Sequence, residues 1–414
     1  MKSKLLSSLI GLAAVGWIVS CTSQPKSSQV EENWISNMHK LSAAHLRLMP
    51  IAADGRKFAD PEMRGRIQGS LKQMVEASNA IMNDNRAPDA DPIIKFTAAG
   101  LAAEVKQAYT AFEVNDLQWS RFALSRTSSY CISCHTRADR GVKDFEIGWT
   151  TELSALTPSQ SVEFLLANRR YRSAMTAARK LAADGEQVRR EPRNWILTIE
   201  KVLGMVVRVN KEPAQAEDLV ELVVKNKSAP SYIRRDASTW LQDIRSWRAE
   251  EHAGRRRPDL KAVAKLVNKA EKSGPHNSAA LIQYLRASGM THELLENTRS
   301  SKYGETLLYA GIVADSLRDL NMGYLDQYYY ESCILNQPHS ELAERCYSRL
   351  EASVRISNPF LTIDPQSEWA TAARLADLRQ LAGTKDPLDG PSWNRQFWDG
   401  LDKFEKEDKS REKR

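Results

Sequence analysis

Five consecutive residues, Cys131 to His135, have the types and the spacing to do chemistry. They form the pattern C-x-x-C-H, the attachment motif of a c-type haem. Two thiols three residues apart lie on one turn of a helix, where they could bond to the two vinyl groups of a single porphyrin. The imidazole that follows could bind the iron from the proximal side. The motif predicts one covalent haem c, attached to Cys131 and Cys134, with His135 as the proximal iron ligand.

The same three residues could instead hold zinc or act as a redox dithiol. A zinc site would need a fourth ligand from elsewhere, and the sequence has no second C-x-x-C pair. The sequence also lacks a Gly-rich phosphate loop, H-E-x-x-H and G-x-S-x-G. Haem attachment is therefore favoured, and no enzymatic constellation is predicted beyond the haem itself.

Residues 1–20 resemble a bacterial export signal. Two lysines precede the apolar stretch Leu5 to Val19, which ends at Cys21 in the manner of a lipoprotein signal. The pattern predicts a signal peptide, a lipid on Cys21 and a polar tether over 21–30; an ordinary cleaved signal or an uncleaved anchor are the alternatives. Thr22 stands where an inner-membrane retention signal usually has Asp, which favours the outer membrane, facing the periplasm. Covalent haem attachment takes place outside the cytoplasm, which agrees with export.

Two further cysteines, Cys333 and Cys346, are left after lipid and haem are assigned. They flank a break at Asn336-Gln337-Pro338 between two helical segments. In an oxidising compartment they could form a disulfide, and two buried thiols are the alternative.

The length and net charge of the chain limit its possible domain organisation and its possible partners. A protein of 414 residues should have two or more domains. Its net charge of +7 is spread thinly, with 59 basic against 52 acidic side chains, so nucleic-acid binding is not predicted. Two local basic groups are either solvated faces or contacts for an acidic redox partner or anionic lipid headgroups. They are Arg255–Arg257 with Lys261, Lys265 and Lys269, and Arg169, Arg170 and Arg172.

Four amphipathic helices are predicted over residues 31–145, and the haem motif ends the last of them. The first should run from about Glu31 and end near Pro50. The next two should open at Asp60-Pro61 and at Asp91-Pro92, where a cap is followed by proline. The fourth should start at Asn115, with Gln118 completing a capping box. Short connections between such helices predict an antiparallel four-helix bundle.

This bundle, with C-x-x-C-H near the end of its fourth helix, resembles the cytochrome c′ and cytochrome c-556 group. The resemblance implies a sixth iron ligand on the first helix, where Met38 matches the position of the c-556 methionine. His45 on the same face is the alternative ligand, and an open five-coordinate iron is a third case. Aromatic side chains are expected around the porphyrin or in the bundle core. They are Tyr109, Phe112, Trp119, Phe122 and Tyr130.

Residues 155–385 have helical patterns throughout, punctuated by proline and glycine. Windows at Phe164 to Leu181 and at Leu307 to Leu350 resemble tetratricopeptide-type repeats, which implies an α-solenoid with a surface for protein partners. Residues 386–414 form a charged tail. The fold class is thus predicted to be all-α, a haem-carrying bundle followed by an α-solenoid.

Three functions follow from this organisation. The first is periplasmic electron transfer by a membrane-anchored monohaem cytochrome, with a redox partner that the sequence does not identify and a docking partner on the repeat domain. The second is gas binding or sensing at an open iron. The third is a scaffold lipoprotein in which the haem is structural.

Overall fold

The computed structural model describes residues 27–84, 93–137, 153–253, 258–274, 277–318, 320, 325–358 and 370–383. Within these ranges the fold is all-α, as predicted, and no strand is present. The helices are α1 (Ser27–Ala53), α2 (Gly55–Ala59), α3 (Arg64–Met82), α4 (Ile93–Glu113), α5 (Leu117–His135), α6 (Pro158–Ala167), α7 (Tyr171–Ala183), α8 (Gly185–Arg190), α9 (Pro192–Met205), α10 (Pro213–Lys225), α11 (Ser231–His252), α12 (Leu260–Glu271), α13 (Leu281–Leu295), α14 (Tyr303–Ser316), α15 (Leu325–Asn336), α16 (Glu341–Ser357) and α17 (Ala370–Ala382). The predicted signal peptide, Cys21 and the charged tail lie outside the described residues.

Helices α1, α3, α4 and α5 pack in a ring, in which each contacts the next and α5 contacts α1. We call α1 to α5 the N-terminal unit. Its core is one cluster of buried apolar side chains that runs from Leu41 to Leu124. At one end of this core Phe58 and Phe112 meet edge to face, with ring centroids 5.5 Å apart. The heptad-like spacing in the sequence supplies this core, because it places apolar residues on one face of each helix.

Two predicted helix ends are wrong by a few residues. Helix α1 does not end at Pro50 but continues to Ala53, where the Arg121 side chain donates hydrogen bonds to the carbonyls of Ala52 and Ala53. This side chain satisfies carbonyls that a helix end would otherwise leave unpaired. Helix α5 is capped by Asp116, whose carboxylate accepts from the Trp119 amide, and not by the predicted Asn115.

Asn115 instead has a φ of 63° and makes the sharp turn out of α4. Asparagine tolerates this left-handed conformation better than most residues. The predicted cap at Asp60 is present, since its carboxylate accepts from the Glu62 amide. It caps a single 3-10 turn, Pro61–Met63, which leads into α3. The predicted start of the third helix at Asp91-Pro92 lies outside the described residues.

Helices α6 to α17, which we call the C-terminal array, pack mainly on their neighbours in sequence. Their buried side chains form one continuous cluster from Val162 to Ala382. Trp195 of α9 is fully buried in this cluster. Its indole N–H donates to the Leu181 carbonyl at 2.7 Å. A continuous core shared by serial helices is a property that an α-solenoid would have, and the solenoid itself stays a prediction. Membership of the tetratricopeptide class stays a prediction.

The N-terminal unit and the C-terminal array are in direct contact. Ile132 of α5 belongs to the core of the array, although it lies within the haem motif. Phe96 of α4 packs on Tyr328 of α15, with ring centroids 5.5 Å apart. The motif therefore lies at the boundary between the two parts of the molecule. No helix in the described ranges is both long enough and apolar enough to cross a membrane.

A disulfide joins Cys333 of α15 to Cys346 of α16, with the two Cα atoms 6.2 Å apart. This is the first of the two alternatives that the sequence left open. Both residues are fully buried between the helices that they connect. The bond closes the turn between α15 and α16 and fixes this helical hairpin in the array.

We expect reduction of this disulfide to lower the free energy of unfolding by about 3 kcal/mol, because a cross-link over a short loop restricts the unfolded chain. Urea unfolding of the full chain with and without reductant measures the difference. The Cys333→Ala/Cys346→Ala double variant is the control and should unfold at the same urea concentration with or without reductant. A wild-type protein that is insensitive to reductant would contradict the prediction.

Candidate functional site

The predicted haem motif forms the last turn of α5. Cys131 and Cys134 are half-buried thiols one turn apart, and His135 is the final residue of the helix. Burial, with a smaller effect of Cys134, raises the pKa of Cys131 to about 12. Redox dithiols instead lower the pKa of the attacking thiol. The two thiols therefore have the spacing for haem attachment, and the raised pKa of Cys131 differs from that of an attacking thiol in a dithiol centre.

Three contacts with the C-terminal array fix the end of the motif. The His135 ring nitrogen Nδ1 lies 2.8 Å from the Ala167 carbonyl oxygen. The Tyr171 hydroxyl donates to the His135 carbonyl at 2.7 Å. Arg208, which is buried, donates from Nη2 to the Thr136 hydroxyl at 2.9 Å. The contact with Ala167 orients the imidazole, and the other two hold the end of α5 in place.

The hydrogen bond to Ala167 determines the tautomer of His135. A carbonyl oxygen can only accept, so Nδ1 carries the proton and Nε2 keeps its lone pair. Iron-binding histidines have this arrangement, in which the second ring nitrogen donates to a carbonyl or carboxylate. Burial, and to a smaller extent the charge of Arg169, lowers the pKa of His135 to about 4. The ring is therefore neutral at pH 7, which is the form that binds a metal.

His45, the alternative distal ligand, is buried on α1 and has both ring nitrogens engaged. Nε2 lies 3.0 Å from the Ser128 hydroxyl, and Nδ1 lies 3.3 Å from the Asn168 side-chain nitrogen. Asn168 is oriented by the Ser42 hydroxyl, which donates to its oxygen, and by the Phe164 carbonyl, which accepts from its nitrogen. Nδ1 of His45 is therefore the acceptor and Nε2–H the donor. His45 is thus held as a structural histidine.

Two hydrogen bonds define how α1 and α5 run past each other. Arg121 of α5 reaches the Ala52 carbonyl of α1, and Ser128 of α5 meets His45 of α1. From Arg121 to Ser128 the chain of α5 advances seven residues toward its C-terminus. The partners on α1, Ala52 and His45, are also seven residues apart, but in the opposite direction. The two helices are antiparallel and keep this register over two turns, because both rise by about 1.5 Å per residue.

A further step of seven residues in this register would pair Met38 with His135. Residues seven apart return to nearly the same helix face, so Met38 lies below His45 on the face that contacts α5. Its side chain is half-buried against the core of the N-terminal unit. Asn168, the residue after Ala167, also keeps His45 close to His135, so both candidates for the distal ligand lie toward this end of α5.

Burial lowers the pKa of His45 to about 4, with a small contribution from His135. Between pH 6.5 and 4 the unfolded chain binds a proton at this residue and the folded chain does not. We expect the free energy of unfolding to fall over this window as the pH is lowered, by on the order of 3 kcal/mol for this group.

Urea unfolding at a series of pH values measures this loss. His45→Gln should reduce the slope between pH 6.5 and 4, since glutamine cannot gain a proton there. His39→Gln, at an exposed position on the same helix, is the matched control and should leave the slope unchanged. An unaltered slope in His45→Gln would contradict the assignment of a buried neutral ring.

The aromatic side chains predicted near the porphyrin are only partly brought to the motif. Trp119 and Phe122 contact each other on the surface, where they are 46 % and 49 % exposed, near the other end of α5. That prediction is wrong for these two residues, because the face of α5 that carries them is turned away from α1. Tyr130 lies directly beside the motif, and its ring packs so closely on Gly100 that a Cβ there would be 2.5 Å from Cε1.

The turn between α6 and α7 was not identified from the sequence as part of the site. Ala167, Asn168 and Tyr171 contact both candidate histidines, although they follow the motif by more than thirty residues. A backbone carbonyl has no residue-type signal, so its role could not be inferred from spacing. The predicted basic group at Arg169 belongs to this turn.

The other basic group is not part of the site. Arg255–Arg257 lie outside the described residues, and the lysines of α12 are exposed, with Lys269 bonded to Asp243 at 2.9 Å. Within the described ranges, no cluster of three or more His, Cys, Asp or Glu is placed to hold a metal ion. The chain matches no family model, no curated protein and no solved structure.

The donor set of the motif fits a haem c. It offers two thiols one helical turn apart and an imidazole that keeps the lone pair of Nε2.

Proposed function

We propose that the protein is a monohaem c-type cytochrome that transfers electrons at the bacterial cell envelope. The observation that carries the proposal is the hydrogen bond from His135 Nδ1 to the Ala167 carbonyl, within a turn that also holds Cys131 and Cys134. It supplies the tautomer and the ring orientation of a proximal iron ligand. The helices α1, α3, α4 and α5 would then form the haem-carrying bundle, similar to the cytochrome c′ and c-556 group.

A haem bound here would supply a one-electron iron couple. Cys131 and Cys134 would anchor its edge, and His135 would hold the iron through Nε2 while its Nδ1 proton stays on the Ala167 carbonyl. Tyr171, by its bond to the His135 carbonyl, keeps the end of the helix from unwinding. Apolar side chains of both units would exclude water from the proximal side, which favours fast electron transfer with little rearrangement.

Met38 is the proposed distal ligand. The antiparallel register of α1 and α5 supports it, and the engagement of both His45 nitrogens argues against a bis-histidine iron. With Met38 bound, the iron would be six-coordinate, which suits electron transfer and leaves no open position for a gas. An open iron would instead support the gas-binding alternative.

The remaining parts of the proposal rest on the sequence. A lipid on Cys21 would tether the chain to the outer membrane, facing the periplasm. The C-terminal array, as a tetratricopeptide-like solenoid, would dock a protein partner. Through its contacts with the motif, the array would also complete the proximal side of the haem site.

Two measurements on the full chain, produced in a host that attaches haem, test the proposal. Intact-mass analysis should show one covalent haem, and the ferrous absorption spectrum should be low-spin and unchanged by carbon monoxide. A spectrum that carbon monoxide alters would favour gas binding. Absence of covalent haem would overturn the proposal.

We expect Met38→Ala to convert the ferrous iron from low-spin to high-spin and to make it bind carbon monoxide, because the variant removes the sixth ligand. Met49→Ala, at another half-buried methionine of α1, is the matched control and should keep the low-spin spectrum. If His45→Gln abolished the low-spin spectrum and Met38→Ala did not, the assignment of the distal ligand would be reversed.

A further inference from the structure

The α6–α7 turn, residues 168–170, lies against both candidate histidines. The carbonyl that precedes it accepts from His135, and the tyrosine that follows it donates to the His135 carbonyl. Its first residue, Asn168, is hydrogen-bonded to His45. The position of Arg169 in the middle of the turn is therefore fixed relative to the haem motif.

Arg169 occupies a backbone position that normally belongs to glycine. The Arg170 amide donates to the Leu165 carbonyl at 2.9 Å and the Arg169 amide to the Leu166 carbonyl at 3.0 Å, which together form a Schellman motif. Arg169 has a φ of 58°, in the left-handed region that disfavours side chains with a Cβ. Glycine has a positive φ at Gly274 and Gly383, whereas Asn115, Lys211 and His339 share the left-handed φ of Arg169.

An arginine at this position is strained, so its side chain should have a role that glycine cannot fill. Its guanidinium lies over the ring of Tyr171, 5.6 Å from the centroid. Tyr171 in turn is bonded to His135. The guanidinium therefore lies beside the end of α5 that carries the proposed haem motif.

We propose that Arg169 binds a propionate carboxylate of the haem, an inference that rests on the proposed function. Each haem brings two propionates, and a partly buried carboxylate needs a cation with matching geometry. The planar guanidinium can donate two parallel hydrogen bonds to one carboxylate, whereas a lysine offers only a point charge. The Arg169 side chain would thus fix the haem edge from the array side.

Resonance Raman spectroscopy of the ferrous holoprotein tests this inference through the propionate bending band. Arg169→Gln should shift the band and lower the haem midpoint potential, since a cation beside the haem is lost. Arg169→Lys should restore the potential in part and leave the band shifted. Arg172→Gln removes a nearby exposed cation and should change neither quantity.

Arg169→Gly separates this role from folding. Glycine relieves the left-handed strain, so the variant should unfold at the same or a higher temperature while showing the band shift of Arg169→Gln. If the band and the potential were the same in wild type, Arg169→Gln and Arg169→Gly, Arg169 would be a solvated or partner-binding residue and the inference would fail. A wild-type protein without covalent haem would instead overturn the proposed function.

Discussion

Replacing both Cys131 and Cys134 with serine should abolish covalent haem. A serine hydroxyl cannot form the thioether that a cysteine thiol forms with a porphyrin vinyl group, and both attachment points are lost. Intact-mass analysis of the purified full chain, together with haem absorbance after denaturation, measures attachment. We expect the covalent haem content of the variant to fall from one per chain to none.

The Cys333→Ala/Cys346→Ala variant is the matched control for this result. It also removes two cysteines, but they lie between α15 and α16 and not in the motif. It should keep one covalent haem per chain, although it unfolds more readily. Haem that stays attached in the Cys131→Ser/Cys134→Ser variant would show that the motif is not the attachment site.

Trp195→Ala should lower the free energy of unfolding by about 3 to 5 kcal/mol, the usual cost of removing a fully buried large aromatic side chain. The indole is completely enclosed in the array, and its N–H is bonded to the Leu181 carbonyl. The substitution leaves a cavity and removes one of the two hydrogen bonds of the Leu181 carbonyl, which also accepts from the Asp184 amide. Urea unfolding of the full chain, followed by circular dichroism, measures the loss.

Trp119→Ala is the control for the same residue type at the surface. Trp119 is 46 % exposed, so its removal should change the free energy of unfolding by less than about 1 kcal/mol. Equal effects of the two substitutions would contradict the burial that distinguishes these residues.

The sequence predicted the all-α class and the position of the haem motif because both depend on local patterns. Apolar residues at steps of three and four determine a helix and its buried face, and α5 ends with the motif as expected. The end of α1 was wrong because it depends on Arg121, a side chain from another helix. The cap of α5 was wrong by one residue because Asn115 is in the turn that precedes it.

The axial offset between two packed helices could not be predicted from the periodicity of the sequence. Met38 and His45 share a face of α1, so the spacing alone left both as distal ligands. The hydrogen bonds of Arg121 and Ser128 define this offset between Ala52 and His45, and the choice of distal ligand stays a prediction. The hydrogen bond between the Ala167 carbonyl and His135 could not be predicted either. Every residue has a backbone carbonyl, and this one approaches His135 only in the folded chain.

The boundary position of the motif has a consequence for the order of assembly. Ile132 is buried in the core of the C-terminal array, and the His135 ring is bonded to the end of α6. Attachment machinery needs access to both thiols and to the imidazole, which the docked array restricts. A haem added at Cys131 and Cys134 would therefore have to be loaded before α6 and α7 close over the end of α5. Maturation would then proceed from the N-terminus, with the array as the last part to dock.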